Sequence, residues 1–518
     1  MSGFRRYVRN AAVLMGAALL MRSVSLVFNA YVSGKIGAEG MGLFSLIMSV
    51  YGFAVTFATS GINLAVTRLC AEAIGEGDPG RIRSVLRHAV LYACFFGGIA
   101  SVVLFFFSVP LGSGLLGDAR TIPSIRLLSC SMLPIALSSV FGGYFNAVRR
   151  VSRNALTQLF EQTVRIGLTV FGLMALAPAG LTYACLALVG GSALAEFCSF
   201  FFLFVQYLLD RRRHFQNTRP SEKAGLWQRL FRISLPVAAS AYVRSGLVTA
   251  EHILIPFCLS LGGGSRAEAL ASYGILHSMA IPTILYPAAV TSAFSGLLVP
   301  EMAECHARGD MRRIRYMTER ALSYTLLFGM GCAGLLIAFA PAIGASFYHN
   351  AEAGHFIGLL APVVVIMYLD TTVDSILKGL GHQVYSMGVN IADSLLSILM
   401  VWLFLPRMGA EGYVLVVIAA EVFNFSLSVL RLQQAVGFRL SLWRFLFAPL
   451  LAVIGATAIL PLLLPGLALI PALLTAALLY LLLLLPLGSF TREDLVWLGG
   501  LFLPAGRADA RKNSRIRS

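Results

Sequence analysis

Three observations predict an all-α integral membrane fold of about fourteen spans. Hydrophobic residues make up 58% of the 518-residue chain and charged residues only 12%, about half the charged share of a soluble domain. Apolar runs of roughly 20 residues, each long enough to cross the hydrocarbon core, recur from end to end. Lysine and arginine concentrate in alternate loops, the pattern that orients a multi-pass chain. Lipid admits only helices or closed barrels. These runs are too long and too continuously apolar for barrel strands.

The predicted spans, α1 to α14, cover 11–33, 42–66, 88–109, 122–147, 155–177, 181–208, 230–258, 270–298, 321–343, 356–380, 386–405, 412–434, 445–464 and 467–487. The first follows Arg5, Arg6 and Arg9, like a signal sequence. It is longer than a signal core, contains Arg22 and lacks a small-residue cleavage site, so a retained helix is expected. Basic residues follow the even-numbered spans: Arg81, Arg83 and Arg87 after α2; Arg149, Arg150 and Arg153 after α4; a run from Arg211 to Arg232 after α6. Further sets lie after α8 (Arg308 to Arg320), after α12 (Arg431, Arg439, Arg444) and in the tail (Arg507 to Arg517). The opposite loops hold little beyond Lys35, Arg120, Arg266 and Arg407. Both termini are expected inside, on the cytoplasmic face of a bacterial cell membrane.

The net charge of +16 is thereby read as topology, and no nucleic-acid partner is expected. The eight cysteines form no CxxC and no Cys/His cluster, so neither a disulfide framework nor a metal site is expected. Pro134, Pro236, Pro282, Pro287 and Pro362 lie inside spans and predict kinks. Gly34–Gly42 and Gly262–Gly264 read as external turns.

The chain also reads as an internal duplication. Gly77-Asp78-Pro79-Gly80-Arg81-Ile82-Arg83 recurs as Gly309-Asp310-Met311-Arg312-Arg313-Ile314-Arg315, an offset of 232 residues. The same offset relates Gly42 to Gly274, Ala71-Glu72 to Ala303-Glu304, Tyr92 to Tyr324, Gly180 to Gly412 and Glu161 to Asp393. In α1 and α7 the register slips to 222, and Arg22-Ser23 meets Arg244-Ser245. One register held over so long a stretch implies duplication. Equivalent positions are separated by six spans, an even number, so the copies are parallel in the membrane. The expected domains are an N-terminal lobe at 1–209, a basic cytoplasmic linker at 210–229, and a C-terminal lobe at 230–440. The unduplicated pair α13–α14 lies at 441–490, and a basic cytoplasmic tail at 491–518. The final pair is rich in Leu and Ala and reads as a lipid-facing appendage or the wall of a lateral groove.

Ionisable side chains at membrane depth are costly and face a cavity or a partner. Arg22 and Arg244 would grip an anionic head group through bidentate hydrogen bonds, or each pairs with an internal carboxylate. Arg68 is a further anion-binding candidate that would otherwise snorkel to the interface. Glu161 is a substrate-contact candidate, with an intrahelical pair to Arg165 as the alternative; Glu196 is a lone acid open to either role. Asp370 and Asp374 share a helical face. Two close carboxylates take up a proton or a cation rather than both ionise freely. Candidates for ion or proton coupling are Glu251, Asp370, Asp374, Asn390 and Asp393, with Lys378 available to neutralise Asp374 instead. His277 reads as a packing residue ahead of a proton relay. No Walker A lysine motif, nucleophile elbow or HExxH is present, so a secondary transporter is expected rather than an enzyme.

The runs Gly37-Ala38-Glu39-Gly40-Met41-Gly42-Leu43-Phe44 and Gly61-Ile62-Asn63-Leu64-Ala65-Val66-Thr67-Arg68-Leu69-Cys70-Ala71-Glu72 resemble stage V sporulation protein B and its relatives. These are polysaccharide-biosynthesis members of the multidrug/oligosaccharidyl-lipid/polysaccharide exporter superfamily. The resemblance covers nearly the whole chain. It implies two six-helix lobes forming a V, and flipping of an undecaprenyl-linked glycan precursor with lipid II as the leading candidate. By that resemblance Arg22 and Arg244 contact a diphosphate–sugar head, and Glu251, Asn390 and Asp393 resemble a cation-binding set. The expected partners are the bilayer and a lipid-linked anionic glycan, the expected state a monomer, with no cofactor beyond a coupling sodium ion or proton. The alternatives are a drug/cation antiporter of the same superfamily and a scaffold in spore or envelope assembly.

Overall fold

A computed structural model describes residues 2–214, 225–438, 443–464 and 466–489. Among them every regular element is helical. Six helices are long and apolar enough to cross a membrane, and three helix pairs qualify as spans bent by 44°, 57° and 54°. Two of the six, Leu20–Gly75 and Gln383–Val436, run to 56 and 54 residues, enough for two crossings each at 1.5 Å per residue. Leu20–Gly75 is broken at Gly37 (φ 70°, ψ −179°) and again at Ser60–Gly61 (φ 40° and 68°), and Gln383–Val436 at Gly409 (φ 62°, ψ −146°). Gly34–Gly42, expected as an external turn, is therefore helical on both sides of Gly37. Helix α7, Leu226–Leu261, is 36 residues long, and α13 and α14 form Ala448–Leu463 and Leu469–Leu484. Together the described helices supply about fourteen crossings.

Two of the three bends stand at a proline; the 44° bend falls at Cys130–Ser131. Pro287 stands at the break between Ile281–Leu285 and Ala288–Ala307, and Pro362 at that between Ala351–Leu360 and Val363–Gly379. The turn Gly262–Gly264 is present where expected.

The duplication is reproduced hydrogen bond by hydrogen bond. After α2, Gly77 takes φ 70° and the Asp78 amide donates to Ala73 O. After α8, Gly309 takes φ 70° and the Asp310 amide donates to Cys305 O. Asp78 then caps α3 by accepting from the Arg81 amide, and Asp310 caps α9 by accepting from that of Arg313. A left-handed glycine ends one helix and an aspartate starts the next, at positions 232 apart.

The chain forms two compact units. One draws its described residues from Met1–Val27, Met279–Val389 and Val417–Ser518, the other from Phe28–Ser278 and Asn390–Val416. These units cut across the lobe boundaries read from the repeat. The reason lies in which helices pair. In the second unit α7 packs on α2 and α3: Trp227 meets His88 at 5.2 Å, Phe231 meets Tyr92 at 5.3 Å, and a Cβ on Gly61 would reach Ser234 O at 2.8 Å. In the first unit α1 meets α8 instead (Arg22 with Leu285, Ser23 with Tyr286). The first helix of each copy thus packs on the second helix of the other. Most of the proposed linker (215–224) and the tail from 491 onward lie outside the described residues.

In the first unit α13 and α14 pack on α9, Met311–Tyr348. Tyr480 donates to Leu327 O at 2.7 Å, and Leu327, Ala452, Val453, Ala456, Tyr480 and Leu484 form one buried cluster. Gly331 and Gly334 make the room: a Cβ on Gly331 would reach the Tyr480 ring at 2.5 Å, and one on Gly334 would overlap Val453.

Candidate substrate and ion sites

The repeat-related Arg-Ser pairs share one design. In the first unit Ser23 Oγ and Tyr286 Oη are hydrogen-bonded at 2.7 Å, while Arg22 is exposed and donates to Leu285 O at 2.7 Å. In the second unit Thr56 Oγ1 donates to Ser245 Oγ at 3.3 Å, while Arg244 is exposed. The serine ties each helix to its neighbour and the adjacent arginine stays outside the packing. Neither guanidinium has a carboxylate partner among the described residues.

The other candidates are held differently. Glu161 is ion-paired to Arg165, its neighbour one turn on, and accepts from Ser199 at 3.1 Å; Glu196 stands 3.5 Å from the same guanidinium. Arg68 is two-thirds exposed (66%) and pairs with Glu72 at 3.3 Å. Glu72 also receives Arg229 at 2.6 Å and Arg81 at 3.9 Å. Arg81, 1% exposed, pairs with Glu76 as well. Arg68 therefore sits in an ion network that ties α2, α3 and α7 together at one end of the second unit.

The five coupling candidates divide between the units. In the first, Asp374 pairs with Lys378 at 2.5 Å. Asp370, one turn earlier, faces the Ser428 hydroxyl, and its Oδ1 is buried without a hydrogen-bond partner among the described residues. In the second, Glu251 of α7 accepts from Ser397 of α11 at 2.6 Å. Ser397 is one turn beyond Asp393 and two beyond Asn390, so these three candidates belong to one helix pair.

Sequence reading missed an aromatic cage beside Glu251. His252 Nδ1 and Tyr273 Oη are hydrogen-bonded at 2.6 Å. His277 stands 4.5 Å from the His252 ring, 4.8 Å from Tyr273 and 5.2 Å from Tyr413. Tyr273 and His277 share one face of α8, four residues apart, but His252 and Tyr413 lie in other apolar runs and nothing in their spacing along the chain brings them there.

At the turn before α4, Asp118 accepts from Arg120 Nη2 at 2.7 Å, and that guanidinium also holds Glu39 at 2.8 Å. Burial acts to raise the Asp118 carboxyl, but the hydrogen bonds and charge of Arg120, with the charge of Arg266, outweigh it and hold the group below the ordinary carboxylate value.

The model of a family described as polysaccharide biosynthesis protein matches residues 7–306. The chain belongs to this polysaccharide biosynthesis family. Among curated relatives it is 25% identical over 422 residues to "Stage V sporulation protein B" of Bacillus subtilis (strain 168), covering 80% of this chain and 81% of that protein. It is 22% identical over 462 residues to "Lipid II flippase MurJ" of the same organism, covering 84% of each. Among solved structures, "Lipid II flippase MurJ, inward closed conformation" aligns with a TM-score of 0.70 at 14% identity, over 93% of this chain and all of that one. The family member described here is thus a multi-pass membrane protein whose fold is that of the compared flippase structure.

Proposed function

We propose that this family member flips an undecaprenyl-linked glycan precursor, lipid II-like or a related polysaccharide intermediate, across the bacterial cytoplasmic membrane by alternating access, acting as a monomer with both termini inside. One observation carries the substrate class: Arg22 and Arg244 are span arginines related by the duplication, and neither has a carboxylate partner among the described residues. Arg165, by contrast, is neutralised within the protein. A guanidinium at membrane depth with no internal counter-charge calls for an anion from outside the chain. A diphosphate offers the paired oxygens that match its fork. The head group would travel on these arginines while the lipid tail stays in the bilayer. Glu251, with Asn390 and Asp393 on the facing helix, is the proposed seat of a sodium ion or proton that couples the cycle; Asp370 and Asp374 are the second candidates.

Translocation of lipid II in proteoliposomes tests the reading. Arg22→Ala and Arg244→Ala are each expected to lower the rate about tenfold or more, the worth of one charge-assisted hydrogen bond, with partial recovery in the lysine variants. Parent-like rates in both alanine variants would overturn the assigned roles.

A further inference from the structure

We propose that His252 and His277 form a proton-binding site whose protonation loosens the contact between α2 and α8. The site lies wholly in the second unit.

The case begins with His277. It belongs to a π-helical turn, Ile275–Ala280, inside α8. Such turns are rare and cluster at functional positions. Its Nε2 is buried and has no hydrogen-bond partner among the described residues. A buried nitrogen of this kind costs stability and persists where it serves a purpose. The ring is enclosed by His252 from α7, Tyr273 from its own helix and Tyr413 from α12. The neighbouring charge on α7 is Glu251, next in sequence to His252; the Glu251 carboxylate accepts from Ser397 at 2.6 Å. Imidazole is the side chain that changes charge near neutral pH. With the two rings 4.5 Å apart, mutual repulsion allows the pair one added proton. The proton enters on His277 Nε2, in the tautomer that carries hydrogen on Nδ1.

The same π turn carries the contact with α2 and, through Asn29, one with α1. Ser278 O accepts from Asn29, Ser278 Oγ is hydrogen-bonded to Ser45, and Ser278 donates to Met41 O at 3.3 Å. One turn earlier the repeat-related glycines cross: a Cβ on Gly42 would overlap Leu270 O, and one on Gly274 would overlap Ala38 O. Leu270 and Ala38 are themselves 232 apart, so the contact is reciprocal between the copies. A cation placed among desolvated rings is relieved by movement of the π turn. The π turn cannot move without shifting Ser278 and the glycine crossing. Neutral imidazoles hold the crossing, and a protonated pair weakens it.

Hydrogen exchange of the full-length protein in nanodiscs, corrected for the intrinsic pH dependence of exchange, tests this without any substrate. Peptides spanning 38–45 and 270–280 are expected to exchange about fivefold faster at pH 5.5 than at pH 7.5, while peptides of α9 do not change. His252→Gln and His277→Gln are expected to abolish the difference, with Tm at pH 7.5 reporting that each variant folds. A flat profile in the parent overturns the proposal even if a variant fails to fold. A pH response that survives in both glutamine variants overturns it too. Lipid II translocation is measured separately, so failure of one reading leaves the other standing.

Discussion

Arg165 and Arg244 are both arginines inside apolar helices, and the difference between them sets opposite expectations. Arg165 holds Glu161 and stands near Glu196. Removing it leaves two carboxylates facing each other in a poorly hydrated place. Arg165→Ala is expected to cost roughly 2 kcal/mol or more, read as a lower Tm in detergent. Arg244→Ala removes a side chain with no polar partner among the described residues, so Tm should stay within the spread of about 0.5 kcal/mol of an ordinary surface change while the proposed transport falls. The Asp118 carboxyl gives a pH expectation. Its folded value is depressed, so its contribution is complete above the unfolded carboxyl value of about 4 and is lost as pH falls through the folded value. Asp118→Asn should therefore flatten the decline of Tm between about pH 5 and pH 3. The sequence listed the polar residues of the spans correctly. It left open which acids were neutralised internally. An i,i+4 spacing marks Glu161–Arg165 and Asp374–Lys378 as pairs, but the Ser397 partner of Glu251 lies 146 residues away.

At the scale of the helix, glycine decides where spans bend and where they touch. Hydropathy placed the spans but drew turns where α1 meets α2 and where α11 meets α12. The chain needs only one left-handed residue at each, Gly37 and Gly409, because glycine alone enters that region without strain. Gly42 and Gly274 were visible as a repeat pair. Their mutual contact was not, since periodicity carries no information on which copies of a motif meet. Gly42→Ala has two opposing effects. Alanine gains about 1 kcal/mol in helix propensity, but its methyl would overlap the Leu270 carbonyl, and forcing helices apart costs about 1–3 kcal/mol. A net fall in Tm is expected. Gly52→Ala, with nothing within 4 Å of its Cβ, should hold or raise Tm and serves as the control. The double variant Gly42→Ala/Gly274→Ala should fall by less than the sum of the singles, because both act through one helix separation.

For the whole molecule, the duplication was legible from one seven-residue motif, and the matching caps at Asp78 and Asp310 show why that motif persists: it builds the same helix–turn–helix twice. What the repeat did not convey is the partnering of helices, since α7 packs on α2 and α1 meets α8 across copies. The appended pair α13–α14 raises the same question of seating. Composition read it as a lipid-facing appendage or the wall of a lateral groove, and its inner side is keyed to α9 through Tyr480, Val453 and the two glycines facing them. A pair held only by lipid exclusion would tolerate larger residues on α9. A keyed pair would not, because van der Waals fit is the main force between helices in a membrane. Gly331→Leu and Gly334→Leu should each displace the pair, lowering Tm by the equivalent of about 2 kcal/mol, while reporter fusions at the α6–α7 loop retain their orientation. If α13–α14 also serve the proposed lipid-linked substrate, lipid II translocation should fall with them, and Tyr480→Phe, which loses only the bond to Leu327 O, should retain most of it. Parent-like Tm in both leucine variants would show that the seat on α9 contributes nothing to holding the pair.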